Sequence, residues 1–187
     1  MSSQMVRIEA IAGSSRSGRR VRGFTLFELL MALVVAAALL AFAVPNLSIF
    51  VDSSRLRASQ SELVSALTLA RSEATKRGLN VVVDAVAPAT GVEFNQGWRV
   101  WVDANADGTN AGPPTEETVR EYPAATGSVR FATVGGVTRV IFNSRGFLTT
   151  GEIVFTVCGK AGVTRGYRIR LEPVGIADVE ERNDACT

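Results

Sequence analysis

The chain has 187 residues, of which 47% are hydrophobic, and this apolar share argues against wholesale disorder. Its 20 basic and 18 acidic side chains give a net charge of +2, too small a charge to indicate nucleic-acid binding by itself. The chain has no histidine, which removes the usual general base, the Ser-His-Asp and Cys-His arrangements, and zinc sites that use histidine. We therefore expect a protein that is not an enzyme and needs no cofactor.

An apolar segment near the N-terminus predicts a membrane-spanning helix. Residues 1–23 contain five arginines and one glutamate, and every residue from Leu29 to Val44 is apolar. The next charge is Asp52, so about 23 residues are available to cross a hydrocarbon core of roughly 30 Å. Because the arginines precede the segment, the N-terminus should stay cytoplasmic and the residues past Val51 should lie outside. A cleaved secretory signal is the alternative, but its apolar region is shorter.

Glu28 is a charge at the start of this apolar run. A carboxylate in a membrane helix costs on the order of 2.5–3.5 kcal/mol at the helix centre and less near the interface, so Glu28 needs a partner. Cleavage after Gly23 would create one, the α-amino group of Phe24 on another copy or relative of the chain. The alternative is a carboxylate at headgroup level without a partner.

The sequence RGFTLFELL at residues 22–30, followed by the apolar stretch and Pro45, resembles the class III leader and N-terminal helix of type IV pilins and type II secretion pseudopilins. The resemblance implies that a prepilin peptidase cleaves after Gly23 and methylates Phe24. It also implies that Glu28 aids processing, methylation and recruitment into a filament of other pilins. The start of translation is open between the first and second methionines, and the cleavage site is the same for both.

Beyond Pro45, which should kink the helix, the pattern stays helical. Apolar residues recur 7, 4, 3 and 4 positions apart and predict one buried face, made of Leu56, Leu63, Leu67, Ala70 and Ala74. Lys76 and Arg77 followed by Gly78 form a helix stop. A helix over residues 24–77 would be about 80 Å long.

From Asn80 onward, short β-rich runs alternate with Gly, Pro, Asn and Asp. Strands are predicted at residues 81–86, 98–102, 129–133, 139–142, 153–157 and 167–171. In the last of these, the apolar residues and the arginines Arg168 and Arg170 alternate between the two faces. Residues 104–118 are expected to form a long loop.

The predicted fold class is α+β, with a long N-terminal transmembrane α-helix packed on a C-terminal antiparallel β-sheet domain in the lollipop shape that the pilin resemblance implies. The expected divisions are a cleaved leader at 1–23, the transmembrane and assembly half of the helix at 24–51, its periplasmic half at 52–78 and the β domain at 79–187.

Three later segments are similar to the FimT/FimU/GspH group of minor pilins and pseudopilins: residues 67–78, 97–105 and 141–146. This similarity implies a minor type IV pilin that enters a pilus or its tip complex and supports assembly, with the inner-membrane assembly platform and other minor pilins as partners. A GspH-like pseudopilin of type II secretion shares every N-terminal feature and is the alternative.

The segment after the second predicted strand matches the D-x-N-x-D-G half of an EF-hand loop, with Asp103, Asn105, Asp107 and Gly108. The twelfth position is Pro114, where an EF-hand requires a bidentate glutamate. Glu116 or Glu117 could complete a calcium site of another kind. The alternative is a turn, since Asx residues and glycine between strands are turn formers.

Cys158 and Cys186 are the two cysteines, and both follow the membrane segment on the side where disulfides persist. We expect a disulfide between them that fastens the C-terminal tail to the β domain, worth about 3–4 kcal/mol on the loop-closure estimate.

FimT-like minor pilins also imply a DNA-binding alternative, through a basic C-terminal G-R-x-R stretch. The nearest match here is G-Y-R-I-R at residues 166–170, displaced by one position. Arg165, Arg168 and Arg170 are the candidate phosphate contacts, against the alternative of a solvated strand face.

Overall fold

The computed structural model describes residues 23–112, 116–159 and 166–182, without the side chains of 42–46 and 48. These ranges contain one long helix followed by strands, which confirms the α+β class. The elements are α1 (Leu26–Arg77), β1 (Asn80–Ala85), β2 (Trp98–Asp103), β3 (Thr118–Tyr122), β4 (Arg130–Thr133), β5 (Arg139–Phe142), β6 (Ile153–Cys158), β7 (Gly166–Leu171) and β8 (Ala177–Arg182).

The chain divides into two compact units, Met1–Ala43 and Val44–Thr187, and α1 contributes to both. The helix continues through Pro45, and the kink expected there stays a prediction. Across the described ranges, no helix combines the length and the mean hydropathy required of a membrane span.

In the second unit, α1 buries the face that its spacing predicts, with every member at most 3% exposed: Leu56, Leu63, Leu67, Ala70 and Ala74. Ala66, which was not predicted, is also buried. The helix also stops where predicted. Gly78 adopts a φ of +68° and donates its N–H to the carbonyl of Ala74 at 2.9 Å, which closes the last turn.

The strands form two four-stranded antiparallel sheets, in the orders β3-β2-β1-β5 and β4-β6-β7-β8. Alternate residues of the inner strands enter one core with the helix face, because successive side chains of a strand point to opposite sides. Five aromatic rings meet in this core. Trp98 stacks on Tyr122 with centroids 5.4 Å apart and meets Phe131 edge-on at 5.1 Å. Phe94 lies tilted to Trp98 at 6.4 Å and meets Phe155 edge-on at 5.3 Å.

The strands β3 and β8 were not predicted from the sequence. Both lie at the edge of their sheet, and most of their side chains are exposed or half-buried. The edge strands β4 and β5 were predicted because their buried residues alternate, whereas β3 buries only Tyr122 and β8 buries no residue, so neither β3 nor β8 carries that alternation.

Candidate functional site

Three of the predicted processing and assembly residues lie at the start of α1: Gly23 and Phe24 just before it and Glu28 in its first turn. Gly23 and Phe24 precede the helix, and a Cβ at Gly23 would meet no atom within 4 Å. Thr25 is the N-cap: its Oγ1 accepts the backbone N–H of Glu28 at 3.1 Å. Glu28 stands at the third helical position, where a carboxylate faces the positive end of the helix dipole.

Thr25 and Glu28 have the sequence pattern of a capping box, T-x-x-E, which the sequence analysis did not use. The pattern explains why the helix begins at Leu26 rather than at Phe24. In this pattern a glutamate side chain can accept the backbone N–H of the N-cap residue, so a capping role of Glu28 must be separated by experiment from the charge pairing expected of it.

Large apolar side chains are exposed along the first half of α1. Phe24 is 83% exposed and Leu26 80%, and the same holds further along the helix. We call this set the apolar helix surface: Phe24, Leu26, Phe27, Leu29, Leu30, Met31, Leu33, Val34, Val35, Leu39, Leu40, Leu47, Ile49, Phe50 and Val51. Exposed apolar side chains in this number mark a site of contact with protein or lipid.

Arg168 and Arg170 lie on one face of β7, as predicted, and both are half-buried. Ile169 and Leu171 are buried on the opposite face. Acidic residues of β8 stand directly opposite them: Glu180 is the register partner of Arg168 and Asp178 that of Arg170. Arg170 Nε also lies 3.8 Å from Glu152 Oε1. Opposite charges at paired positions stabilise neighbouring strands, so the acidic residues of β8 offset the positive charge of the two arginines. Arg165 lies outside the described residues.

Cys158 ends β6 and is buried, and its register partner in β7 is Gly166. The described part of the chain contains no free cysteine. Cys186 lies outside the described residues, so its pairing with Cys158 stays a prediction.

The candidate calcium residues lie between β2 and β3. Asp103 ends β2 and is 2% exposed, and its Oδ2 accepts the N–H of Gly108 at 3.1 Å. Asn105 is exposed and hydrogen-bonds Asp107 through both its amide oxygen and its amide nitrogen. The hydroxyl and N–H of Thr109 both donate to Asp107 and, together, lower the pKa of that carboxyl below its usual range.

The two candidate glutamates have different surroundings. Glu116 is 2% exposed and its Oε2 accepts the N–H of Ala111 at 2.7 Å. The Glu117 carboxylate instead accepts a hydrogen bond from Arg77 Nη1 at 2.5 Å, and Arg77 Nε donates a second hydrogen bond to Glu73 at 2.7 Å. Arg77 lowers the pKa of the Glu117 carboxyl, and the same guanidinium is the main cause of the lowered pKa of Glu73. Glu117 therefore fastens the end of α1, and Glu116 points elsewhere.

Two family models match the chain. The model described as type II transport protein GspH matches residues 59–175, and the model of the prokaryotic N-terminal methylation motif matches residues 18–44. The second match contains all of the predicted processing and assembly residues, Gly23, Phe24 and Glu28, except Pro45. No curated protein sequence matches the chain.

Solved structures of two proteins share the fold. The type IV minor pilin FimU of Pseudomonas aeruginosa superposes with a TM-score of 0.59 at 20% identity, covering 74% of this chain and 97% of the FimU chain. A second crystal form of FimU gives a TM-score of 0.55 at 20% identity, covering 70% and 97%. The minor pseudopilin EpsH of the type 2 secretion system of Vibrio cholerae gives a TM-score of 0.50 at 12% identity, covering 67% and 96%.

Proposed function

The chain belongs to the GspH family and is a minor pilin or pseudopilin, and from this membership we propose that it works as a minor type IV pilin. In this proposal, prepilin peptidase removes residues 1–23 and methylates Phe24. The mature chain enters a pilus or its tip complex from the inner membrane, with the β domain in the periplasm. There it supports assembly together with other minor pilins and the assembly platform.

The apolar helix surface is the observation that carries this proposal. Its side chains extend from Phe24 to Val51 and are exposed in the isolated chain. Exposed apolar area of this extent is stable only when lipid or other protein covers it. A helix that passes from the bilayer into a bundle of equivalent helices has such cover in both places, so membrane anchoring at residues 24–51 and assembly use the same surface.

The charge at Glu28 supports a subunit contact within that bundle. In the filament, the carboxylate of Glu28 would meet the methylated α-amino group of Phe24 on a neighbouring subunit. A buried carboxylate and ammonium neutralise each other, which an apolar bundle requires of any charge that enters it. The pairing sets the axial position at which a new subunit docks.

The first expected result concerns processing. Intact-mass analysis of the chain from membranes of peptidase-competent cells should give a mass that begins at Phe24 and includes one methyl group. Cells that lack the peptidase should give the same chain with residues 1–23 attached. A chain that keeps these residues in competent cells would contradict the proposal.

The fold likeness to EpsH, together with the family model, favours a second candidate function, a pseudopilin of a type II secretion system. Such a subunit would be processed in the same way and would pack through the same helix surface. The two functions differ in the filament that contains the subunit, and not in the chemistry of the chain.

The DNA-binding alternative gains no support from the sheet. Arg168 and Arg170 face acidic partners on β8, and a DNA site needs an excess of cations that can displace the counterions of several phosphates. We therefore propose assembly rather than DNA capture as the function.

A further inference from the structure

Two buried carboxylates between β2 and β3 each have one oxygen without a hydrogen-bond partner. Asp103 and Glu116 are both 2% exposed, and their Oδ1 and Oε1 atoms contact no donor among the described residues. The second oxygen of each group accepts one backbone N–H, from Gly108 and from Ala111. A buried carboxylate oxygen without a donor costs more free energy than almost any other polar group, so its presence calls for a ligand.

A third carboxylate completes the cluster. One carboxylate oxygen each from Asp103, Asp107 and Glu116 lies within 4.8 Å of the other two. Calcium binds oxygen ligands at about 2.3–2.6 Å, so two ligands on opposite sides of the ion stand up to about 5 Å apart. Oxygen atoms within 4.8 Å of one another can therefore share one calcium ion, whereas magnesium requires a tighter octahedron.

The local charge favours a cation, even though one guanidinium is close: Arg139 Nη1 lies 3.4 Å from the position that a Cβ on Gly108 would take. Residues 103–117 contain four acids and no lysine or arginine. Arg77 neutralises Glu117, and this pair leaves Asp103, Asp107 and Glu116 as a cluster of three carboxylates. Asp107 is exposed and the other two are buried, so the cluster is open to solvent on one side.

We propose that Asp103, Asp107 and Glu116 bind one calcium ion. The site is not an EF-hand, because its closing glutamate comes two positions after the twelfth. Asn105 is not one of the three proposed ligands; its side chain hydrogen-bonds Asp107 and so holds that carboxylate in place. The ion would join the last residue of β2 to the residues that lead into β3, and so would fix both ends of the long connection between these strands.

Calcium titration of the mature full-length chain in detergent, stripped with EDTA, tests this site. Isothermal titration with calcium chloride should give one ion per chain with a Kd of about 10⁻⁴ to 10⁻³ M, the range of extracellular calcium modules. Calcium should raise the melting temperature, and magnesium at the same concentration should raise it much less.

The variants Asp107→Asn and Glu116→Gln should each raise the Kd for calcium at least about tenfold, because each removes a charged ligand. Glu117→Gln is the matched control and should bind calcium as the parent chain does. Asp107 is exposed, so the Asp107→Asn variant should fold. If Glu116→Gln fails to fold, the calcium Kd of Asp107→Asn alone tests the site. No binding by the parent chain at 10 mM calcium, about tenfold above the weakest expected Kd, or an unchanged Kd in Asp107→Asn, would overturn the proposal.

Discussion

Replacing Glu28 with alanine should leave the chain in the membrane and remove it from filaments. The variant lacks the carboxylate proposed to meet the α-amino group of a neighbouring subunit. An unpaired charge in the apolar bundle costs on the order of 2.5–3.5 kcal/mol, which corresponds to roughly a hundredfold loss of incorporation. Quantitative immunoblots of the sheared filament fraction and of the membrane fraction measure the two effects separately.

Glu28→Gln separates charge pairing from helix capping. Glutamine also completes a capping box with Thr25, so it keeps the local role of the residue while it removes the charge. If the charge matters, glutamine and alanine should lower incorporation equally. Incorporation at the parent level with glutamine would assign the role to capping instead. Glu62→Ala changes an exposed carboxylate elsewhere on α1 and should have no effect.

Replacing Gly97 with alanine should cause the largest loss of stability among the substitutions considered. Gly97 has a φ of +93°, and an added Cβ would meet the carbonyl oxygen of Tyr122 and the backbone of Pro123. Backbone strain of about 1–3 kcal/mol and overpacking of about 1–3 kcal/mol add to roughly 3 kcal/mol or more. The collision lies beside the stacked rings of Trp98 and Tyr122, so the variant should loosen β3.

Gly91→Ala is the matched control for Gly97→Ala. Gly91 also has a positive φ, +77°, but an added Cβ there meets no atom within 4 Å. Its cost should be backbone strain alone, about 1 kcal/mol. Urea unfolding of the mature chain in detergent, followed through the buried Trp98 and Trp101, measures both variants. Equal losses of stability would show that the close approach of Gly97 to the backbone of Tyr122 and Pro123 is unimportant.

The helix and six of the eight strands could be predicted because burial leaves a periodic pattern, also in the edge strands β4 and β5. Leu63 and Leu67 recur at helical spacing because one face of α1 meets the sheets, and Ile169 and Leu171 alternate with arginines because one face of β7 is buried. The strands β3 and β8 leave no such pattern, because β3 buries only Tyr122 and β8 buries no residue. Their place in the sheets depends on hydrogen bonds to a neighbouring strand, which sequence alone does not reveal.

The sequence could identify the processing and assembly residues but not the geometry around them. The motif at residues 22–30 is local, so one chain segment contains it entirely. The choice between Glu116 and Glu117 is not local: it depends on Arg77, 40 positions away from Glu117, which draws that side chain to the end of the helix. The T-x-x-E capping box at Thr25 was present in the sequence and could have been used.

Mass spectrometry of filaments sheared from the surface of piliated cells tests the central claim most directly. The chain should be present in this fraction, at lower abundance than the major pilin, and its N-terminal peptide should begin with methylated Phe24. Cells that carry a deletion of the pilus assembly platform should lose it from the fraction. A chain that is processed at Gly23 yet stays in the cell envelope of piliated cells would contradict the claim and assign it to a secretion pseudopilus.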